Sequence, residues 1–133
     1  MHITLHRAFD MCKDPIQTLN EAIDLGIDTI LTSGQQNNCK DGKALLEKLH
    51  QAANGKIHIL VGSGVTPNII EEFTNTTALC QFHLSGKQEQ NSKMIWRNPH
   101  VSMGAAGINE YCVWQTSGAT IRQCKNLLDK LFK

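Results

Sequence analysis

The pattern of apolar and polar positions changes period along the chain, and each change predicts an element. Residues 1–6 alternate, with Met1, Ile3 and Leu5 apolar and His2, Thr4 and His6 polar, which predicts a strand from the first residue. Asp14-Pro15 then opens a helix, with an N-cap carboxylate, proline at the first helical position and Gln17 at the capping-box place. Ile16, Leu19, Ala22 and Ile23 make its apolar stripe, and Gly26 ends it. A second strand is predicted over 28–32, followed by Ser33-Gly34 and a polar loop to Asp41. A second helix is predicted over 43–53, with Leu45, Leu46 and Leu49 inward and Asn54-Gly55 as its stop.

Residues 57–61 are an apolar run rich in branched side chains, the pattern of a strand buried on both faces. Gly62 and Gly64 follow, and Thr66-Pro67 starts a third helix. A strand, a glycine turn and a helix N-terminus together make an anion site, because unpaired N–H groups and the helix dipole act in the same direction. A fourth strand is predicted over 79–84, closed by Ser85-Gly86. Strand starts thus recur at intervals of 26, 28 and 23 residues, the length of one strand plus one return helix. The same unit length suits a (β/α)₈ barrel, in which about 250 residues divide among eight units. Beyond Gly86 the rhythm breaks, leaving a possible extended piece over 94–97 and a last amphipathic helix from Ser117. Ile121, Cys124, Leu127, Leu128 and Leu131 share one side of that helix.

Composition narrows the class without naming a function. The 133 residues read as one domain, 1–133, and 41% hydrophobic content is far from the disordered range. Thirteen Lys and Arg against twelve Asp and Glu supply no electrostatic argument for nucleic acid or an anionic membrane. No apolar run approaches the ~18 residues of a membrane span. Five cysteines, Cys12, Cys39, Cys80, Cys112 and Cys124, form no C-x-x-C pair or zinc-type spacing. Reduced thiols and a cytoplasmic location are the expectation.

Polar residues on the strands separate a barrel from an open sheet covered on both faces. His2, Thr4 and His6 share one face of the first strand, and His58, Gln81 and His83 take alternate places later. A barrel interior tolerates such layers near its functional end. His2 and His58 read as hydrogen-bonded space-filling residues, whereas His6 and His83 lie at the carboxyl ends of their strands, where sites are built.

Thr4-Leu-His-Arg-Ala-Phe-Asp10, Leu31-Thr-Ser-Gly34, Gly62-Ser-Gly64, Phe82-His-Leu-Ser85, and Arg97-Asn98 with Val101-Ser-Met-Gly104 resemble the CutC family of copper-homeostasis proteins. The resemblance implies a (β/α)₈ TIM-barrel type of α/β fold, of which this chain matches the carboxyl-terminal four βα units, a half barrel. It implies copper homeostasis as the role and copper as the ion. The family pattern also carries cysteines near the ends of its first two strands, and none of the five cysteines here matches those places. The glycine turn departs as well, reading Gly-Ser-Gly where the family favours three glycines, and Asn38-Cys39 stands where the family has a small Ser-Ala pair.

The candidate site gathers His6, Arg7, Ser33, Gly62, Gly64, His83 and Ser85, all at strand carboxyl ends. Arg7 offers a planar, permanently charged fork for a carboxylate or phosphate, unless Asp10 holds it. The first expectation is therefore a pocket for a small anionic ligand. The second is Cu(I), which prefers soft sulfur ligands, at Cys12 and Cys39 in consecutive loops of the same mouth, with Met11 nearby. No acidic pair, nucleophile triad or H-E-x-x-H motif accompanies these residues, so no reaction is assigned. A half barrel would also leave strand edges unpaired, which predicts a partner such as a second copy, a homo-oligomer.

Overall fold

The computed structural model describes residues 1–104, 107 and 109–131. Its first two thirds alternate strand and helix. β1 (Thr4–Leu5) leads through a 3₁₀ turn (Arg7–Met11) into α1 (Pro15–Asp24), then β2 (Thr29–Thr32), α2 (Lys43–Ala53), β3 (His58–Val61) and α3 (Pro67–Thr76). β1, β2 and β3 form one parallel sheet in that order, with Leu5 beside Ile30 and Ile30 beside Ile59. Each return passes through a helix, as parallel pairing demands. The fold is α/β with a parallel sheet.

The helices start where the sequence predicts, for local reasons. Asp14 Oδ1 accepts from the amides of Ile16 and Gln17 at 3.0 Å, and Thr66 Oγ1 accepts from the Ile69 amide. The capping box is only half made, because the Gln17 side chain donates to Glu21 one turn on instead of returning to Asp14. Asn54, in the left-handed region at φ +44°, ends α2. Leu19, Ala22, Ile30, Leu46, Leu49, Ala53, Ile59, Val61 and Phe73 pack between sheet and helices into one core with Phe9 and Cys39. Burying each of the larger aliphatic or aromatic side chains contributes about 1.5–3 kcal/mol.

Three expectations need correction. The first strand spans two residues, not six: Met1, His2 and Ile3 are exposed, and although the Ile3 carbonyl accepts from the Asp28 and Thr29 amides, the ladder starts only at Thr4. The fourth strand over 79–84 shrinks to a single parallel bridge between Val61 and Phe82, so the four-strand half barrel is a three-stranded sheet with one further bridge. Leu79 and Phe82 still pack on the core, which accounts for the apolar pattern without a ladder. Residues 94–97 form no strand. The regular structure there is an antiparallel pair, β4 (Lys87–Asn91) with β5 (Cys112–Thr116), followed by α4 (Gly118–Leu131) on α3. In α4, Cys124 is buried and Leu127 and Leu128 half-buried, whereas Ile121 and Leu131 are exposed.

His2 and His58 find hydrogen-bond partners, His2 Nε2 at 2.9 Å from Thr29 Oγ1 and His58 Nδ1 at 3.1 Å from Gln81 Nε2. Both are nonetheless exposed, because no element among the described residues covers that face of the sheet.

Candidate functional site

The carboxyl ends of β1 and β2 are joined by one carboxylate. His6 caps the 3₁₀ turn, its Nδ1 accepting from the Ala8 amide at 2.9 Å. The turn brings Asp10 back over the end of β2, where its side chain is only 6% exposed. There Asp10 accepts from Arg7 Nε at 2.6 Å, Thr32 Oγ1 at 2.5 Å, and the amides of Ser33 and Gln35 at 3.2 Å. Ser33 Oγ lies 3.0 Å from Asp10 and 2.5 Å from the Gln36 carbonyl, with one proton to share, and accepts from Arg7 Nη2 at 2.8 Å. Burial would raise the Asp10 carboxyl. The hydrogen bonds from Thr32, Arg7, Gln35 and Ser33 outweigh it and hold the group below the ordinary carboxylate value.

The loop after β2 is shaped by close backbone contact. A Cβ on Gly42 would come within 2.9 Å of the Gly34 Cα and overlap the Ser33 carbonyl, so the two ends of the loop meet only as glycines. Gln35 Nε2 donates to the Cys12 carbonyl at 2.6 Å and lies 3.4 Å from its sulfur. The far side of the loop is tied to the turn after β3: the Cys39 amide donates to the Ser63 carbonyl at 2.9 Å, and Ser63 Oγ to the Asn37 carbonyl at 2.7 Å. Ser63 adopts φ +71°, a left-handed conformation that glycine takes without cost. The position where the resemblance favours glycine is thus one whose backbone suits it.

Beside these turns lies a cavity of about 470 Å³. The turn after β3 (Ser63, Gly64, Thr66) forms one part of its lining, and His83 to Lys87 another; Arg7 and Thr120 of α4 complete the polar part. Leu31, Val65, Pro67 and Leu84 supply apolar wall, and among the described residues no carboxylate lines it.

Arg7, Gly64, His83 and Ser85 therefore share one cavity, while His6, Ser33 and Gly62 do not line it. His6 is spent on the turn, and Ser33 is sealed in the Asp10 cluster at 0% exposure. Gly62 packs beneath, where a Cβ would come within 2.6 Å of Leu31 Cδ1. The arginine fork is mostly engaged as well, since Nε and Nη2 serve Asp10, Ser33 and the Gln36 carbonyl. Lys87, which sequence reasoning missed, lines the cavity. It falls where the strand rhythm breaks, so periodicity gave no reason to select it. Asp10, weighed from the sequence only as a partner that could hold Arg7, does hold it and also organises the loops.

The two cysteines differ. Cys12 is half-buried, whereas Cys39 is fully buried in the core and burial pushes its thiol up, against the thiolate that a soft metal needs. Among the described residues no three His, Cys, Asp or Glu side chains stand together as a metal-holding group. The residues present do not fit a preformed cage of three or more such ligands.

The CutC family model matches residues 1–88. A family protein CutC of Chromobacterium violaceum is 36% identical over 98% of this chain and 53% of its own length. One from Bacteroides fragilis is 38% identical over 98% of this chain and 51% of its own, and one from Parabacteroides distasonis is 42% identical over 80% and 44%. Among solved structures, a candidate copper homeostasis protein CutC from Streptococcus agalactiae superposes with a TM-score of 0.58 at 28% identity, covering 62% of this chain and 41% of that one. The chain spans about half the length of the curated relatives it matches. A family match over residues 1–88, with relatives 36–42% identical over most of the chain, leads to one conclusion: the chain belongs to the CutC family.

Proposed function

We propose that this chain serves copper homeostasis, and that its working part is the cavity at the strand ends, a pocket for a small ligand bearing a carboxylate or phosphate. Family membership and the name of the Streptococcus agalactiae neighbour support the role. They also support a (β/α)₈ setting, in which strand carboxyl ends form the working face. The observation that carries the pocket is its lining: Arg7, Lys87 and a glycine turn at a helix N-terminus, with no carboxylate among the described lining residues. The volume lies in the range of small-molecule sites. Thermal unfolding followed with added phosphate, sulfate or acetate tests it. A rise in Tm that saturates with one of these anions, beyond that given by chloride at equal ionic strength, is the expected result; no such rise would end the proposal.

Copper enters as cargo, and the favoured contact is Cys12. Cys12 is half-buried and follows the exposed Met11 in the chain, while Cys39 is sealed. In competition against a Cu(I) chelator, Cys12→Ser is expected to lower uptake and Cys39→Ser to leave it unchanged. Equal uptake by the wild type and both variants would remove the thiols from the proposal, leaving the pocket to stand on its own test.

A further inference from the structure

We infer that the cavity takes the phosphate group of a phosphate monoester, held by the amides of two turns, Gly64 to Thr66 and Ser85 to Gly86, and faced by Lys87. This rests on the pocket reading above and narrows its ligand class. Both turns line the cavity. The amides of Gly64, Val65, Thr66, Ser85 and Gly86 donate to no acceptor among the described residues. A phosphate presents three terminal oxygens in a tetrahedral array, which donors arriving from two separate turns can serve.

A carboxylate is best held by one flat fork, and here that fork is occupied. Arg7 commits Nε and Nη2 to Asp10, Ser33 and the Gln36 carbonyl, and Asp10 offsets its charge. Lys87 differs in both respects. It joins no ion pair among the described residues, and its ammonium rests 4.8 Å from the centre of the Trp114 ring. A compact ammonium suits phosphate as a point charge. Room remains for an organic part, since a phosphate ion fills only a fraction of about 470 Å³, and Leu31, Val65, Pro67 and Leu84 offer it apolar wall.

The test is a ¹H–¹⁵N NMR titration of the whole chain with glycerol 3-phosphate, inorganic phosphate and glycerate as probes. Glycerol 3-phosphate is expected to move the amides of Gly64, Val65, Ser85 and Gly86 first, to bind more tightly than inorganic phosphate, and to weaken about tenfold in Lys87→Gln, the loss of one charge-assisted contact. Glycerate binding as tightly as the ester would overturn the phosphate assignment and leave the anion pocket standing. Inorganic phosphate binding as tightly would overturn the ester part, and shifts confined to other amides would overturn the location. No shift with any probe would remove both this inference and the pocket reading. Lys87 is exposed, so the variant is expected to keep the wild-type spectrum elsewhere, and the wild-type amide map stands as a test without it.

Discussion

Asp10→Asn is the sharpest probe of how the loops are held. The wild-type carboxylate accepts from Arg7 Nε, Thr32 Oγ1, Ser33 Oγ and the amides of Ser33 and Gln35, and Thr32 and Ser33 are wholly buried. An amide of the same shape keeps one acceptor oxygen and sets an NH₂ against the donors that met the other. At about 1.5–3 kcal/mol for each charge-assisted bond, losing two of them is expected to cost about 3–5 kcal/mol. Arg7→Gln should cost only about 1 kcal/mol, because the guanidinium side chain is 42% exposed and water can replace much of what it loses. The assay is urea unfolding followed by circular dichroism. Its pH dependence has a definite sign. The folded carboxyl is held below its ordinary value, so its contribution is full above the unfolded value of about 4 and is lost as pH falls through the lower folded value. The gap between wild type and Asp10→Asn should therefore be widest near neutrality and close in acid. A cost below about 1 kcal/mol at neutral pH, or a gap that widens in acid, would refute the reasoning.

Other outcomes follow from the same geometry. Gly42→Ala forces backbone apart at Gly34 and should destabilise by about 3 kcal/mol in the same assay, whereas Gly26→Ala, with nothing within 4 Å of the added methyl, should cost only the strain of φ +75°, about 1 kcal/mol. Ser63→Gly should be nearly neutral, relief of a left-handed serine offsetting the lost bond to Asn37, while Ser63→Ala keeps the strain and loses the bond, for about 1 kcal/mol. Cys39 should resist alkylation in the native state and react only in denaturant, while the exposed Cys80 reacts at once; mass spectrometry of the labelled protein checks this. With the outer edge of β1 unpaired among the described residues and Ile95, Trp96 and Met103 exposed, self-association is the expected outcome, and light scattering at the 14.8 kDa monomer mass would count against it.

The local signals in the chain decided the positions of the helices. Asp14-Pro15, Thr66-Pro67 and Asn54-Gly55 act within a turn of where they stand, so α1, α2 and α3 were legible from residue types alone. Motif order likewise carried the family and pointed to the strand ends. What a ladder needs is a partner at the right distance, and no residue type encodes that: residues 79–84 have a strand's composition but make one bridge, while the polar, exposed Lys87–Asn91 pairs along its length. The roles of Arg7 and Lys87 were decided the same way. Both are cations beside a turn in the sequence, yet folding set Asp10 against one and the Trp114 ring against the other, and a buried carboxylate offsets a charge that an aromatic face leaves available.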